Sequence, residues 1–186
     1  MEIKGTRTEQ NLLTAFSGES MARNKYLFFA DKARQEGHED VAALFERMAQ
    51  NEGVHGKLLY QMLAGVGTTA ENLQEAISGE YQEWTRLYPG FAQTAREEGL
   101  DKVADLFDQI SRIEKDHEYR FMSALVALNR GGAAPAEMPP QEKTVTVEGW
   151  RCVFCGAVYE KRPDVCGVCE AIGSFEPTTF QKKVSG

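Results

Sequence analysis

The stretch "FADKARQEGHEDVAALFERMAQNEGVH" (29–55) returns 62 residues later as "FAQTAREEGLDKVADLFDQISRIEKDH" (91–117), and this pair decides the fold. Twelve of the 27 aligned positions are identical, among them Arg-x-Glu-Gly and the closing Glu-x-x-His. Tyr26 falls on Tyr88 under the same shift. Two unrelated amphipathic helices would share apolar positions, but not both polar motifs. The chain therefore contains a duplicated helix hairpin, with Gly37 and Gly99 marking the two turns.

Outward from the repeat the helical pattern continues. "VAALFERMAQNEGVHGKLLYQML" (41–63) sets Val41, Leu44, Phe45, Met48, Leu58, Leu59 and Met62 along one stripe, close to a 3.6-residue period. Between Thr6 and Arg130 the only proline is Pro89. Four helices are predicted, at 6–36, 39–64, 70–98 and 100–130, with Thr69 capping the third. Glu19 stands seven residues before Tyr26 and Glu80 eight before Tyr88, so the second copy has one extra residue. A π-bulge in the third helix would absorb it.

The stretch "RGGAAPAEMPP" (130–140) ends the pattern with glycine and proline and reads as a linker. Short β-type runs follow, "KTVTV", "WRCVFC" and "SFEP". The predicted organisation is an all-α four-helix bundle at 1–130, a linker at 131–148 and a small β-rich domain at 149–186. That last domain is too short for a sizeable core and needs a staple such as a metal.

Composition sets limits. The net charge of −7 gives nucleic acid no electrostatic footprint. The first ten residues lack the layout of a signal peptide, and no stretch approaches the roughly 18 apolar residues of a membrane span. No nucleic-acid or membrane partner is expected, and the expected location is cytoplasmic. Residues 149–186 carry five Lys/Arg and four Asp/Glu, so the first 148 hold a net −8. All four cysteines lie between Cys152 and Cys169, where a reducing compartment favours metal binding or redox work over structural disulfides.

Glu-x-x-His on a helix puts a carboxylate and an imidazole on one face, about one turn apart. The hairpin turns show what else shares their height. Glu19 lies 18 residues before Gly37, while Glu52 and His55 lie 15 and 18 after it. Around Gly99, Glu80 and Glu83 lie 19 and 16 before, with Glu114 and His117 15 and 18 after. Five inward carboxylates repel one another unless cations stand between them. Carboxylate and imidazole donors without thiolate suit two iron or manganese ions. A Glu from each of two helices, with Glu-x-x-His from two others, is the pattern of di-iron carboxylate bundles.

With these residues assembled, the chain resembles a rubrerythrin over almost its whole length. The resemblance is carried by "GESMARNKY" (18–26), "NEGVH" (51–55), "GEYQEWTRLYP" (79–89), "IEKDH" (113–117) and the cysteine pairs. It implies a ferritin-like bundle with a C-terminal rubredoxin-like domain. It also implies di-iron ligation by Glu19, Glu52, His55, Glu80, Glu83, Glu114 and His117, with Glu52 and Glu114 bridging. Glu83 is the acid that simple ferritins lack, and the family pattern has it exchange with His55 on one iron as the redox state changes. Tyr26 and Tyr88 are expected to hydrogen-bond ligating carboxylates and position them. His38, near the turn, is expected at the surface.

Cys152-x-x-Cys155-Gly and Cys166-x-x-Cys169 make a four-thiolate site, a ligand pattern shared by zinc ribbons and rubredoxins. The resemblance points to one iron, with zinc as the alternative, inside a shell of Trp150, Phe154, Tyr159 and Phe175. Gly167 stands where rubredoxins commonly carry proline, which is expected to loosen the loop and shift the iron's potential. "GVGTTA" (65–70) fits a dinucleotide loop but follows a helix rather than a strand and is rejected. Electrons must then arrive through another protein.

The resemblance implies a peroxidase that protects against oxidative stress by reducing hydrogen peroxide to water. Electrons would pass through the rubredoxin-like centre, from NAD(P)H by way of a separate reductase or rubredoxin, in a head-to-tail homodimer. The alternatives are an iron-handling ferroxidase, which needs neither Glu83 nor the cysteine tail, and a non-catalytic peroxide sensor.

Overall fold

Thr6 supplies the first helix cap: its hydroxyl accepts the Glu9 N–H at 3.1 Å and starts α1 (Arg7–Gln35). The computed structural model describes residues 3–131 and 144–183. The chain divides into two compact units, Met1–Gly67 and Thr68–Gly186.

The first unit is the hairpin of α1 and α2 (Glu39–Leu63). Gly37 adopts φ 81°, and the His38 N–H reaches back to the Ala33 carbonyl at 2.9 Å. This left-handed closure suits glycine and reverses the chain in three residues. Ala30, Ala33 and Ala42 are buried beside Phe45, because small side chains let the helices approach closely at the turn. Tyr26, Phe29 and Phe45 form an aromatic trio, with ring centroids 5.5 to 6.4 Å apart.

The second unit repeats this in detail. Gly99 has φ 75°, the Leu100 N–H meets the Ala95 carbonyl at 2.8 Å, and Ala92, Ala95 and Ala104 are buried beside Phe107. Tyr88, Phe91 and Phe107 form the matching trio. Arg34 pairs with Glu46 in the first hairpin and Arg96 with Asp108 in the second.

The third helix is interrupted as the extra residue requires. α3 (Thr69–Gln82) runs into a π-helical turn, Glu83–Leu87, and continues as α4 (Tyr88–Glu97). The Tyr88 N–H bonds to the Glu83 carbonyl, the five-residue reach of a π-helix. Pro89 has no N–H to give the Trp84 carbonyl, which instead accepts from the Ser111 hydroxyl at 3.2 Å. The cap of α3 is Thr68 rather than Thr69. A capping box needs Glu three residues on, and Glu71 supplies it, accepting the Thr68 N–H at 2.7 Å. α5 (Asp101–Asn129) completes the hairpin.

Residues 132–143, most of the predicted linker, lie outside the described residues. β1 (Thr144–Cys152) starts ahead of the boundary expected at 149 because β3 (Phe175–Lys183) pairs with it antiparallel along its whole length. The short β2 (Val158–Tyr159) takes the other edge, giving the order β2-β1-β3. The architecture is thus that of the predicted class, helical hairpins followed by a small antiparallel sheet. No helix among the described residues is long and apolar enough to cross a membrane.

Candidate metal centres

Three groups of metal-ligating side chains form among the described residues, each with its donor atoms within 4.8 Å of one another. In the first hairpin the group is Glu19, Glu52 and His55, with His55 Nδ1 at 2.8 Å from Glu52 Oε2. The second hairpin brings Glu80, Glu114 and His117 together, with His117 Nδ1 at 2.6 Å from Glu114 Oε2 and 3.8 Å from Glu80 Oε1. Each group takes one residue from the hairpin's first helix and an i,i+3 pair from its second.

The electrostatics of the second group favour a cation. Burial first, then the charges of Glu114 and Glu83, pushes Glu80 up to about 7. Burial, reinforced by Glu83, raises Glu114 as well, against a hydrogen bond from Glu80. A metal ion relieves both effects, since it supplies positive charge where carboxylates crowd.

Glu83 stands outside the three-residue group, on the π turn. Its charge nevertheless reaches Glu80, Glu114 and the Tyr88 hydroxyl, which burial and these three carboxylates push up. Among the described residues no hydrogen bond joins the hydroxyl of Tyr26 or Tyr88 to a carboxylate; both rings sit in the aromatic trios. His38 is exposed at the start of α2.

The third group is Cys152, Cys155, Cys166 and Cys169, all without disulfides. Cys152 Sγ lies 3.6 Å from Cys169 Sγ, and Cys155 Sγ 3.6 Å from Cys166 Sγ. A tetrahedron with metal–sulfur bonds of about 2.3 Å has edges close to this length. The two knuckles match: the Cys152 N–H bonds to the Ala157 carbonyl and the Cys166 N–H to the Ala171 carbonyl, both at 2.8 Å. Burial pushes the Cys155 and Cys169 thiols up. Burial also acts on Cys166, but the Cys169 N–H, the Tyr159 hydroxyl and the Val168 N–H outweigh it and bring that thiol down to about 6.

The predicted aromatic shell is smaller than expected. Tyr159 and Phe175 pack against the cysteines, edge to face at 5.9 Å. Phe154 is 72% exposed, and Trp150 lies under Arg162.

Sequence reasoning missed the seat of this domain on α5. Ile113 joins Cys152, Ala157 and Cys166 in one buried cluster. Arg151 donates to both oxygens of Asp116, at 3.1 and 3.0 Å. Gly156, next to Cys155, approaches so closely that an added Cβ would stand 2.9 Å from His117 Nε2. His117 thus turns Nδ1 to the carboxylates and Nε2 to the knuckle. One signal was available: Ile113, Asp116 and His117 share a helix face, and the first copy has Asn51 and Val54 at the two matching positions beside His55.

The rubrerythrin family model matches residues 10–125. A rubrerythrin of Porphyromonas gingivalis is 40% identical over 191 residues, covering 94% of this chain and 92% of that protein. A rubrerythrin of Nitratidesulfovibrio vulgaris is 35% identical, covering 90% of this chain and 91% of its own. Nigerythrin of the same organism is 34% identical over 63% of this chain and 65% of that protein.

Proposed function

Because the chain belongs to the rubrerythrin family, a family of di-iron proteins linked to oxidative stress, we propose that it reduces hydrogen peroxide to water. The donor chemistry fits the family's cofactors, oxygen and imidazole donors for two irons and four thiolates for a third. Bound among these side chains, two iron ions supply Lewis acidity and the two electrons that peroxide reduction needs.

The protein's own groups do the rest. Glu19, Glu52 and His55, with Glu80, Glu114 and His117, would hold the metals, Glu52 and Glu114 serving as the shared carboxylates. Glu83 would serve as the seventh ligand, alternating with His55, and its carboxylate would hold the proton that peroxide reduction needs. The π turn sets this acid one turn beyond Glu80, beside the cluster. Tyr26 and Tyr88 act as positioning residues for the ligating carboxylates once metal is bound.

The observation that carries the electron-relay part is the seating of the knuckle on His117. One imidazole has its Nδ1 among the carboxylates and its Nε2 against the residue that follows Cys155. This juxtaposition supports delivery of single electrons from the four-cysteine centre to the peroxide site. NAD(P)H is the ultimate donor, through a separate reductase or rubredoxin. A head-to-tail homodimer is the working form. The domains are a helical domain at 1–130, a linker from 131, and a cysteine domain that takes in β1 from Thr144.

The test is steady-state peroxide consumption by the iron-loaded chain with NADH and a reductase. Glu83→Ala is expected to keep the helical fold and lose turnover by about 100-fold or more. Unchanged turnover would remove Glu83 from the mechanism. Rapid Fe²⁺ oxidation by oxygen with little peroxide consumption would favour the ferroxidase reading.

A further inference from the structure

The two knuckles are alike in backbone and differ in one hydrogen-bonded chain. In the first, Val153 follows Cys152 and gives its N–H to the Ser174 carbonyl at 3.1 Å. In the second, Gly167 follows Cys166 and gives its N–H to Tyr159 Oη at 2.9 Å. That same oxygen lies 3.1 Å from Cys166 Sγ. A hydroxyl oxygen that accepts an N–H has its single proton free for another acceptor, and a ligating thiolate can only accept. The order of donation is therefore Gly167 N–H to Tyr159 oxygen, and Tyr159 O–H to Cys166 sulfur.

We propose that Tyr159, held by the Gly167 N–H, is a positioning residue that raises the reduction potential of the four-cysteine iron through its hydrogen bond to Cys166. The physical reason is charge. A hydrogen bond to a thiolate withdraws electron density, and it favours whichever oxidation state puts more negative charge on the sulfurs, here the ferrous one. The Gly167 N–H polarises the hydroxyl and strengthens its donation. Proline at 167 has no N–H, so this chain of donors requires a different residue there. Glycine's conformational freedom is not what is used: Gly167 lacks a positive φ, and an added Cβ would meet Tyr159 Oη at an ordinary 3.7 Å. The inference rests on iron as the metal of this centre.

The experiment is visible spectroelectrochemistry of the iron-loaded full chain, following the thiolate-to-iron bands. Tyr159→Phe keeps the ring against Phe175 and removes the donor. It is expected to shift the ferric-to-ferrous balance about tenfold toward ferric, a fall of ~59 mV for one electron. Gly167→Pro is expected to lower the potential by less, and Gly167→Ala, which keeps the N–H, to leave it at the wild-type value. The double variant, Tyr159→Phe with Gly167→Pro, should match Tyr159→Phe alone. A wild-type potential in Tyr159→Phe overturns the proposal. So does a Gly167→Pro shift that persists undiminished without the hydroxyl, since proline would then act through the backbone. If Tyr159→Phe fails to assemble, equal potentials for Gly167→Pro and Gly167→Ala overturn it. A centre that takes up zinc and no iron, seen as absent bands, overturns the iron reading and this inference with it.

Discussion

Glu80 and Glu114 bind protons more tightly in the metal-free fold than ordinary carboxylates, and the sign of the consequence follows. A carboxyl whose folded pKa is raised costs nothing below its unfolded value, where both states are protonated. Its penalty grows as pH rises, reaching its full size above the folded value. Metal-free protein should therefore lose stability as pH climbs from the ordinary carboxylate range to about 7, the value for Glu80. Added Fe²⁺ should remove that slope. Denaturant melts at several pH values check both statements, and a flat metal-free profile would count against the crowded cluster. Glu114 was legible in sequence because i,i+3 spacing ties it to His117, and Glu80 because the duplication places it opposite Glu19 at the same height. Asp116 and Arg151 were not legible as partners, since 35 residues separate them and no local rule links a helix to a distant strand. The left-handed Glu170, at φ 60°, sits where Gly156 sits in the first knuckle, and composition gave no sign of it.

At the scale of the element, the third helix shows how one residue changes geometry. Glu80 is fixed by its neighbours on α5, and Tyr88, Ala92 and Ala95 by their packing near the turn. With both ends held in register, the extra residue has to bulge. This much was readable from the unequal spacing of ligand and tyrosine in the two copies. What was not readable is how the freed backbone is satisfied, because that depends on a partner helix. Ser111→Ala removes the donor to the Trp84 carbonyl and should lower stability by about 1 kcal/mol, seen as a fall in Tm with helical circular dichroism intact. An unchanged Tm would mean that water or a shifted bond replaces the hydroxyl. The α3 cap was misplaced by one residue for a similar reason: two adjacent threonines compete, and the position of Glu71 decides between them.

For the whole molecule, the decisive feature is that the four-cysteine domain sits on α5 beside His117. The Arg151–Asp116 pair is the polar part of that seat, with side chains only 12% and 19% exposed. Asp116→Asn leaves the arginine without its charged partner and should weaken the seat by on the order of 2 kcal/mol. Donor-linked turnover should fall while the thiolate-to-iron bands stay intact; unchanged turnover would mean that electrons enter by another geometry. The domain's existence was legible from two Cys-x-x-Cys pairs, but its place was not, because seating depends on surface complementarity rather than on period or spacing. The most direct test of the central claim is stopped-flow absorbance of the iron-loaded, fully reduced protein mixed with a slight excess of hydrogen peroxide, with and without a donor, for wild type and Cys152→Ser. The expected result is rapid oxidation in both, sustained turnover with donor in wild type and a single oxidation only in Cys152→Ser. Slow reaction with peroxide, or equal sustained turnover in the two proteins, would contradict a peroxidase supplied through its cysteine domain.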